Sequence, residues 1–184
     1  MLIDDLDAIP EMFTCGVRGL MLIRRNKDGE EGNTQRKSIK RISRSTKEWQ
    51  AFVRQLHELQ QTSHQGYLIY SSINERNISK AIHEFKRRQL EIDFGNVEEY
   101  DNFYVDIENR FFSCLMNPGA RSTSYFLIDC DTDYDFQKAH ERVPPELFLY
   151  TYPTKNGNHI FTRPFNPNEY GILEVKKDDL MYIG

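Results

Sequence analysis

The hydrophobic pattern of this chain has two periods, one typical of helices and one typical of strands. Apolar residues at helical intervals predict amphipathic helices at residues 46–61, 74–90 and 103–115. A short helix is also expected over residues 133–142, before Pro144. Short apolar runs predict strands at residues 19–24, 67–71, 125–131, 147–152, 158–163, 172–175 and 180–183. Together these elements predict an α+β fold, with helices early and most strands late.

Local signals refine several of these elements. Residues 19–43 are a candidate hairpin, in which a basic strand over 35–43 returns after the turn at 27–33. Asn74 has the position of a cap for the helix that follows it. The last two predicted strands are expected to form an edge hairpin. The acidic residues 92–102 are expected to form a surface loop.

Length and composition limit the class of protein. The 184 residues suit one domain with a real core, and 39% of them are hydrophobic. No apolar run approaches the ~18 residues that a membrane span requires, and the acidic start does not resemble a secretory signal. The three cysteines are odd in number and contain no C-x-x-C pair, which favours reduced thiols in the cytoplasm, or in the host cytoplasm if the protein is viral.

Charge is distributed unevenly along the chain. The net charge is −4, yet between Arg24 and Arg54 ten Lys or Arg residues stand against four Asp or Glu. A basic arm on an acidic body suits a phosphate backbone. A solvated hairpin explains the same residues, so charge alone leaves both interpretations open.

The strongest chemical signal is a pair of acids at the end of a buried strand. The strand 125–131 delivers two carboxylates, Asp129 and Asp131, one residue apart at its C-terminal end. Alternation along a strand predicts that both acids share a face and that Cys130 points away. Two adjacent carboxylates repel each other unless a cation lies between them, so the pair predicts a metal site.

Two simpler explanations apply to acids at such a position. Asp after a strand commonly starts a turn. The spacing Asp129-x-Asp131-x-Asp133 also imitates a calcium loop, but Tyr134 and His140 occupy the positions where that loop needs Gly and Glu. The calcium loop is therefore excluded.

Two further segments carry polar groups next to predicted strands. The loop 154–159 contains Lys155 and Gly157 and leads to His159, a composition suited to anion binding that is also common in structural turns. Glu174 and Lys176 share one face of a short strand, which plain amphipathic alternation explains equally well. The chain contains no G-x-S-x-G elbow, no H-E-x-x-H helix and no Walker phosphate loop.

Taken in order, these segments resemble the archaeo-eukaryotic primase superfamily. Members carry an apolar strand ending in Asp-x-Asp, then a Gly-bearing loop leading to a His, then a third acid on a later strand. Here the corresponding segments are 126–131, 156–159 and Leu173-Glu174. The segment 159–165 is similar to the corresponding segment of compact phage and plasmid members. Asn74-Glu75-Arg76 resembles an Asn-Pro-Arg box without its proline.

The resemblance implies a primase-polymerase core, with an RRM-like antiparallel sheet flanked by helices. Residues 1–184 would form one catalytic domain, in which a basic hairpin-helix segment (1–66) precedes a metal-site core (67–184). Asp129, Asp131 and Glu174 would hold Mg²⁺ or Mn²⁺ and, with His159, form the catalytic set. Implied partners are nucleoside triphosphates, a single-stranded or primed template, and a helicase or other replication protein.

Further residues are candidates for contacts with these partners. The incoming nucleotide would meet polar and basic side chains near the metal site, namely Lys155, Asn158, His159, Arg163 and Lys176. The nucleic acid would meet basic side chains elsewhere, namely Arg36, Lys37, Lys40, Arg41, Arg76 and Arg121.

Two alternatives use the same residues. Glu174 stands where Asp is usual and the chain ends ten residues later, so the chain could be a degenerate primase fold that binds nucleic acid or a replication partner. The carboxylates could also support metal-dependent nuclease chemistry.

Overall fold

The computed structural model of the chain describes residues 6–24, 38–62, 66–95, 104–154, 157–172 and 174–183. The strands are β1 (Arg18–Arg24), β2 (Ser38–Ser43), β3 (Tyr67–Ser72), β4 (Phe126–Cys130), β5 (Phe148–Pro153), β6 (Asn158–Thr162), β7 (Val175–Lys176) and β8 (Leu180–Tyr182). The α-helices are α1 (Thr46–Thr62), α2 (Ile78–Phe94), α3 (Ile107–Met116), α4 (Asp133–Arg142) and α5 (Pro167–Tyr170). The predicted α+β class is confirmed.

Within the described residues the strands form two antiparallel four-stranded sheets. Sheet A has the order β2-β1-β3-β8, and sheet B has the order β5-β6-β4-β7. The predicted hairpin is confirmed by the pairing of β1 with β2, which sets Arg18 opposite Ser43 and Ile23 opposite Ser38. Its connection, residues 25–37, lies outside the described residues.

The predicted hairpin between the last two strands is wrong. β7 pairs with β4 in sheet B, whereas β8 pairs with β3 in sheet A. The apolar run at 172–175 overlaps β7 by one residue and the run at 180–183 contains β8, but neither run contains information on which edge its strand completes. As a result, the C-terminal segment crosses from one sheet to the other.

The two sheets share one hydrophobic core. Leu20, Leu22 and Ile69 of sheet A are buried together with Leu127 and Phe161 of sheet B. Helix α1 contributes Trp49, Val53 and Leu56 to this core, and the Trp49 indole donates a hydrogen bond to Ser71 Oγ (3.0 Å). The helical stripe predicted at 46–61 is therefore the face that covers sheet A.

Sheet B uses its other face for a second core. Ile128, Cys130 and Ile160 lie buried there against Ala139 of α4 and the adjacent Val143. Because strand side chains alternate, this packing turns the intervening Asp129 and His159 towards sheet A. The two cores together fix the orientation of the site.

The sequence predicts Asn74 as the cap of the helix after β3, and this prediction is wrong. Asn77 caps this helix, and its side chain accepts a hydrogen bond from the Lys80 amide (3.0 Å). Asn74 is buried instead, and its amide group bonds the backbone of Tyr125 in both directions, accepting from N (2.6 Å) and donating to O (3.1 Å). It also donates to the Lys177 carbonyl (3.2 Å), so it ties the approach to β4 to the turn before β8.

Other boundaries differ by a few residues. Helix α2 continues to Phe94, into the segment 92–102 predicted as an acidic loop, and residues 96–102 of that segment lie outside the described part of the chain. Helix α3 begins at Ile107 rather than near residue 103. Strand β4 begins at Phe126 and stops at Cys130.

The predicted segments 1–66 and 67–184 meet within one sheet, because β3 lies between β1 and β8. The organisation of the chain as one catalytic domain stays a prediction. Among the helices that the structure describes, none combines the length and apolarity needed to cross a membrane.

Candidate functional site

The candidate site begins at Asp129, near the end of β4. Phe126, Leu127, Ile128 and Cys130 are buried, whereas Asp129 is only half-buried. The strand ends at Cys130, so Asp131 lies in the bend that follows and its direction is not set by strand alternation. The two acids nevertheless line the same cleft.

Strands β6 and β7 bring two partners to the Asp129 carboxylate. His159 lies directly opposite Asp129 in the sheet, and its Nε2 is 2.9 Å from Oδ1. On the other side, Lys176 Nζ is 2.6 Å from Oδ2. Both carboxylate oxygens therefore have a partner within the chain.

These partners change the acidity of Asp129. The hydrogen bond from His159 and then that from Lys176 hold the pKa of the carboxyl below its usual range, and partial burial opposes them without prevailing. Asp129 is therefore a carboxylate throughout the neutral range. A fixed negative charge at this position is a suitable ligand or anchor for a cation.

Tyr152 completes the group, although no pattern in the sequence predicts it. Its hydroxyl oxygen lies 2.6 Å from His159 Nδ1 and 3.1 Å from the Tyr182 carbonyl oxygen of β8. Burial raises the pKa of Tyr152, and the charge of Asp129 raises it further, so the phenol stays neutral. In sequence, Tyr152 is only one of several aromatic residues in β5, and its pairing with His159 requires knowledge of the β5–β6 register.

Glu174 reaches the same place from a distant part of the chain. Its carbonyl accepts a hydrogen bond from the Asp129 amide (3.0 Å) just before β7. Glu174 is exposed and lines the cleft with Asp129 and Asp131. The cleft has a volume of about 120 Å³. Helix α4 adds Asp135 and Lys138 to its lining, and neither residue was predicted from sequence.

Gly157, just before β6, lies against the end of β4. The Gly157 carbonyl accepts from Thr154 N (2.8 Å), and a Cβ at Gly157 would meet the Cys130 carbonyl oxygen at 2.0 Å. Glycine is therefore required by a close backbone approach. Lys155 lies outside the described residues, while half-buried Asn158 stands opposite Cys130 on β6.

The predicted basic contacts do not all lie at the surface. Arg76 is buried, and its guanidinium is paired with Asp178 (2.8 Å) and so belongs to the interior. Arg163 is exposed just beyond β6, and Arg121 is half-buried in an isolated bridge with Arg76.

The basic strand β2 lies partly at the surface. Lys40 bonds Asn109 of α3, and the half-buried Arg41 bonds the Lys40 carbonyl (2.9 Å). Arg36 and Lys37 fall outside the described part of the chain.

The cleft suits a hard divalent cation in its ligand chemistry. Its acidic side chains offer the oxygen ligands that Mg²⁺ and Mn²⁺ prefer. Among the described residues, however, no three acidic, His or Cys side chains are already gathered around one point, and Lys176 holds one oxygen of Asp129. The cleft therefore fits a divalent cation in the type and location of its donor atoms, but these side chains are not arranged around one point.

Comparison with known proteins identifies no matching family model, no similar curated protein and no similar solved structure. The structure defines an α+β protein with a carboxylate-lined cleft at the end of a central strand. Any function of that cleft is therefore inferred from its own residues.

Proposed function

We propose that the chain is a primase-polymerase-like nucleotidyltransferase that acts on nucleoside triphosphates with Mg²⁺ or Mn²⁺. One observation carries this proposal. Asp129, Asp131 and Glu174 are up to 45 residues apart in sequence, yet they line a single cleft. The fold brings acids from two distant parts of the chain to one surface in spite of their mutual repulsion, which is the arrangement expected of a cation site.

Asp129, Asp131 and Glu174 would hold the metal. When bound, divalent ions would activate a primer 3′-hydroxyl and stabilise the pyrophosphate that leaves. The chain's own cations would complement the triphosphate, with Lys138 and Lys176 beside the cleft and Arg163 beyond β6. The resemblance assigns His159 a contact with the triphosphate, but both of its ring nitrogens are hydrogen-bonded inside the protein.

Basic side chains would hold a template through its phosphates, and this binding would not depend on the nucleotide sequence. Lys40 and Arg41 on β2 and Arg121 near the start of β4 are the described candidates for this contact. Binding through such residues weakens as salt rises, because condensed counterions are released on association. We exclude the buried Arg76 from this surface.

The test is primer extension with Mg²⁺ and, separately, with Mn²⁺. We expect Asp129→Ala and Asp131→Ala to abolish incorporation while the circular-dichroism spectrum stays that of the wild type. Asp133→Ala is the matched control, because Asp133 continues the same run of acids but does not line the cleft. Equal incorporation by the wild type and both cleft variants would refute the proposal.

The pairing of Asp129 with Lys176 favours a second candidate, a degenerate primase fold that binds nucleic acid or a replication partner without catalysis. In such a protein Lys176 would permanently replace the cation. Titration of the protein with Mn²⁺ and a nucleoside triphosphate separates the two, because only an intact site gives metal-dependent nucleotide affinity. In the primer-extension assay, shortening of a labelled oligonucleotide would indicate a nuclease instead.

A further inference from the structure

A row of three side chains crosses sheet B beside the cleft. Tyr152 on β5, His159 on β6 and Asp129 on β4 are register partners on neighbouring strands. The hydroxyl–Nδ1 distance is 2.6 Å and the Nε2–Oδ1 distance is 2.9 Å. Each residue of the row is therefore in hydrogen-bonding contact with the next.

The positions of the protons follow from the chemistry of the partners. Asp129 is ionised and can only accept, so His159 Nε2 must carry a proton and donate it. The Tyr152 hydroxyl has one proton, which goes either to Nδ1 or to the Tyr182 carbonyl. In both arrangements the ring presents Nε2–H to Asp129, so the His159–Asp129 hydrogen bond has one direction.

Burial and an anchor on the other sheet keep the row rigid. Tyr152 is 3% exposed and His159 is 5% exposed. The Tyr182 carbonyl belongs to β8 of sheet A, so the row is fixed to the opposing sheet as well as to its own. Rotation of the imidazole would break both of its hydrogen bonds inside the core.

We propose that Tyr152 and His159 are positioning residues, which hold the Asp129 carboxylate in place in the cleft. His159 then acts on the reaction through Asp129 and does not contact the nucleotide. This inference rests on the proposed function of the cleft. Partners that orient a ligand in this way typically change metal affinity or activity by about 10- to 100-fold when removed.

The first arm of the test observes the row directly by ¹⁵N NMR of the histidine rings in the full chain. We expect His159 to show a protonated Nε2 in the wild type. Tyr152→Phe and Asp129→Asn should each shift its ring resonances, and Tyr170→Phe should not, because Tyr170 packs against Phe165 in the second core. An unprotonated Nε2 in the wild type, or unchanged ring resonances in Tyr152→Phe, would overturn the inference.

The second arm separates positioning from nucleotide contact by steady-state primer extension. For Tyr152→Phe and His159→Gln we expect kcat to fall about 10- to 100-fold with the nucleotide KM unchanged. A rise in KM at constant kcat would mean that His159 touches the nucleotide, against the inference. Mn²⁺ affinity measured by electron paramagnetic resonance should weaken in the same two variants, and unchanged affinity together with unchanged kcat would also count against it.

The two arms keep the inference distinct from the proposed function. A wild-type protein that neither extends primers nor binds Mn²⁺ overturns the proposed function and, with it, the role of the row in catalysis. The NMR arm still decides whether Tyr152 and His159 hold Asp129. Thermal unfolding of each variant shows whether a loss of activity reflects a loss of the fold.

Discussion

At the scale of single residues, the charge of Asp129 is set by its two partners. His159 and Lys176 each hold one carboxylate oxygen, and together they lower its pKa. A lowered pKa in the folded state means that ionised Asp129 stabilises the fold. This contribution is complete above the usual aspartate pKa of about 4 and is lost as the pH falls below it.

Replacement of Asp129 by Asn should therefore destabilise the protein in a pH-dependent way. At pH 7 we expect a loss of about 1–3 kcal/mol in the free energy of unfolding, because charged hydrogen bonds become neutral ones. The difference from the wild type should shrink as the pH falls from 5 to 3. Urea unfolding at several pH values measures both quantities, and a difference that stays constant over this range would show that the ion pair is not formed in solution.

At the scale of elements, two asparagines three residues apart have unrelated tasks. Asn77 caps α2 at an accessible helix end. Asn74 is buried and satisfies backbone groups of Tyr125 and Lys177, which belong to segments far away in sequence. Both residues are suited to capping by composition, so the sequence could not show which of them the helix uses.

Substitution of each asparagine by Ala should reveal this difference. Asn77→Ala removes one cap and should cost about 1 kcal/mol of stability. Asn74→Ala leaves several buried backbone groups without partners and should cost at least about 2 kcal/mol. Chemical denaturation of the two variants provides the comparison, in which equal losses would contradict the buried role of Asn74.

At the scale of the whole molecule, one buried ion pair connects parts of the chain about a hundred residues apart. Arg76, just before α2, meets Asp178 in the turn between β7 and β8. Both side chains are nearly inaccessible to solvent. The turn that passes from sheet B to sheet A is thereby fixed against the start of α2.

Removal of one partner should be costly because it strands the other charge in the interior. We expect Asp178→Ala to lower the free energy of unfolding by about 3–5 kcal/mol. Asp179→Ala is the matched control, because Asp179 is next to Asp178 in sequence and is exposed. For this variant we expect the free energy of unfolding to fall by less than about 1 kcal/mol. Urea unfolding measures both, and similar small losses would show that the Arg76 charge is stabilised in another way.

The sequence by itself determined most element types, the α+β class and two acids of the cleft, Asp129 and Asp131. Helical periodicity and short apolar runs are local, so they identified α1, the β1–β2 hairpin and β4. The acids Asp129 and Asp131 were visible because they follow a buried strand at close spacing. Each of these features depends on neighbours within a few residues.

Only the tertiary structure decided which distant residues meet. It separated β7 and β8 into different sheets, buried Arg76 against Asp178, and brought Tyr152 and Lys176 into the His159–Asp129 group. Strand order and register depend on packing between segments that are far apart, and local patterns do not encode them. The physical reason is that the sequence specifies the chemical type of each side chain, whereas the packing of distant segments determines which side chains are in contact.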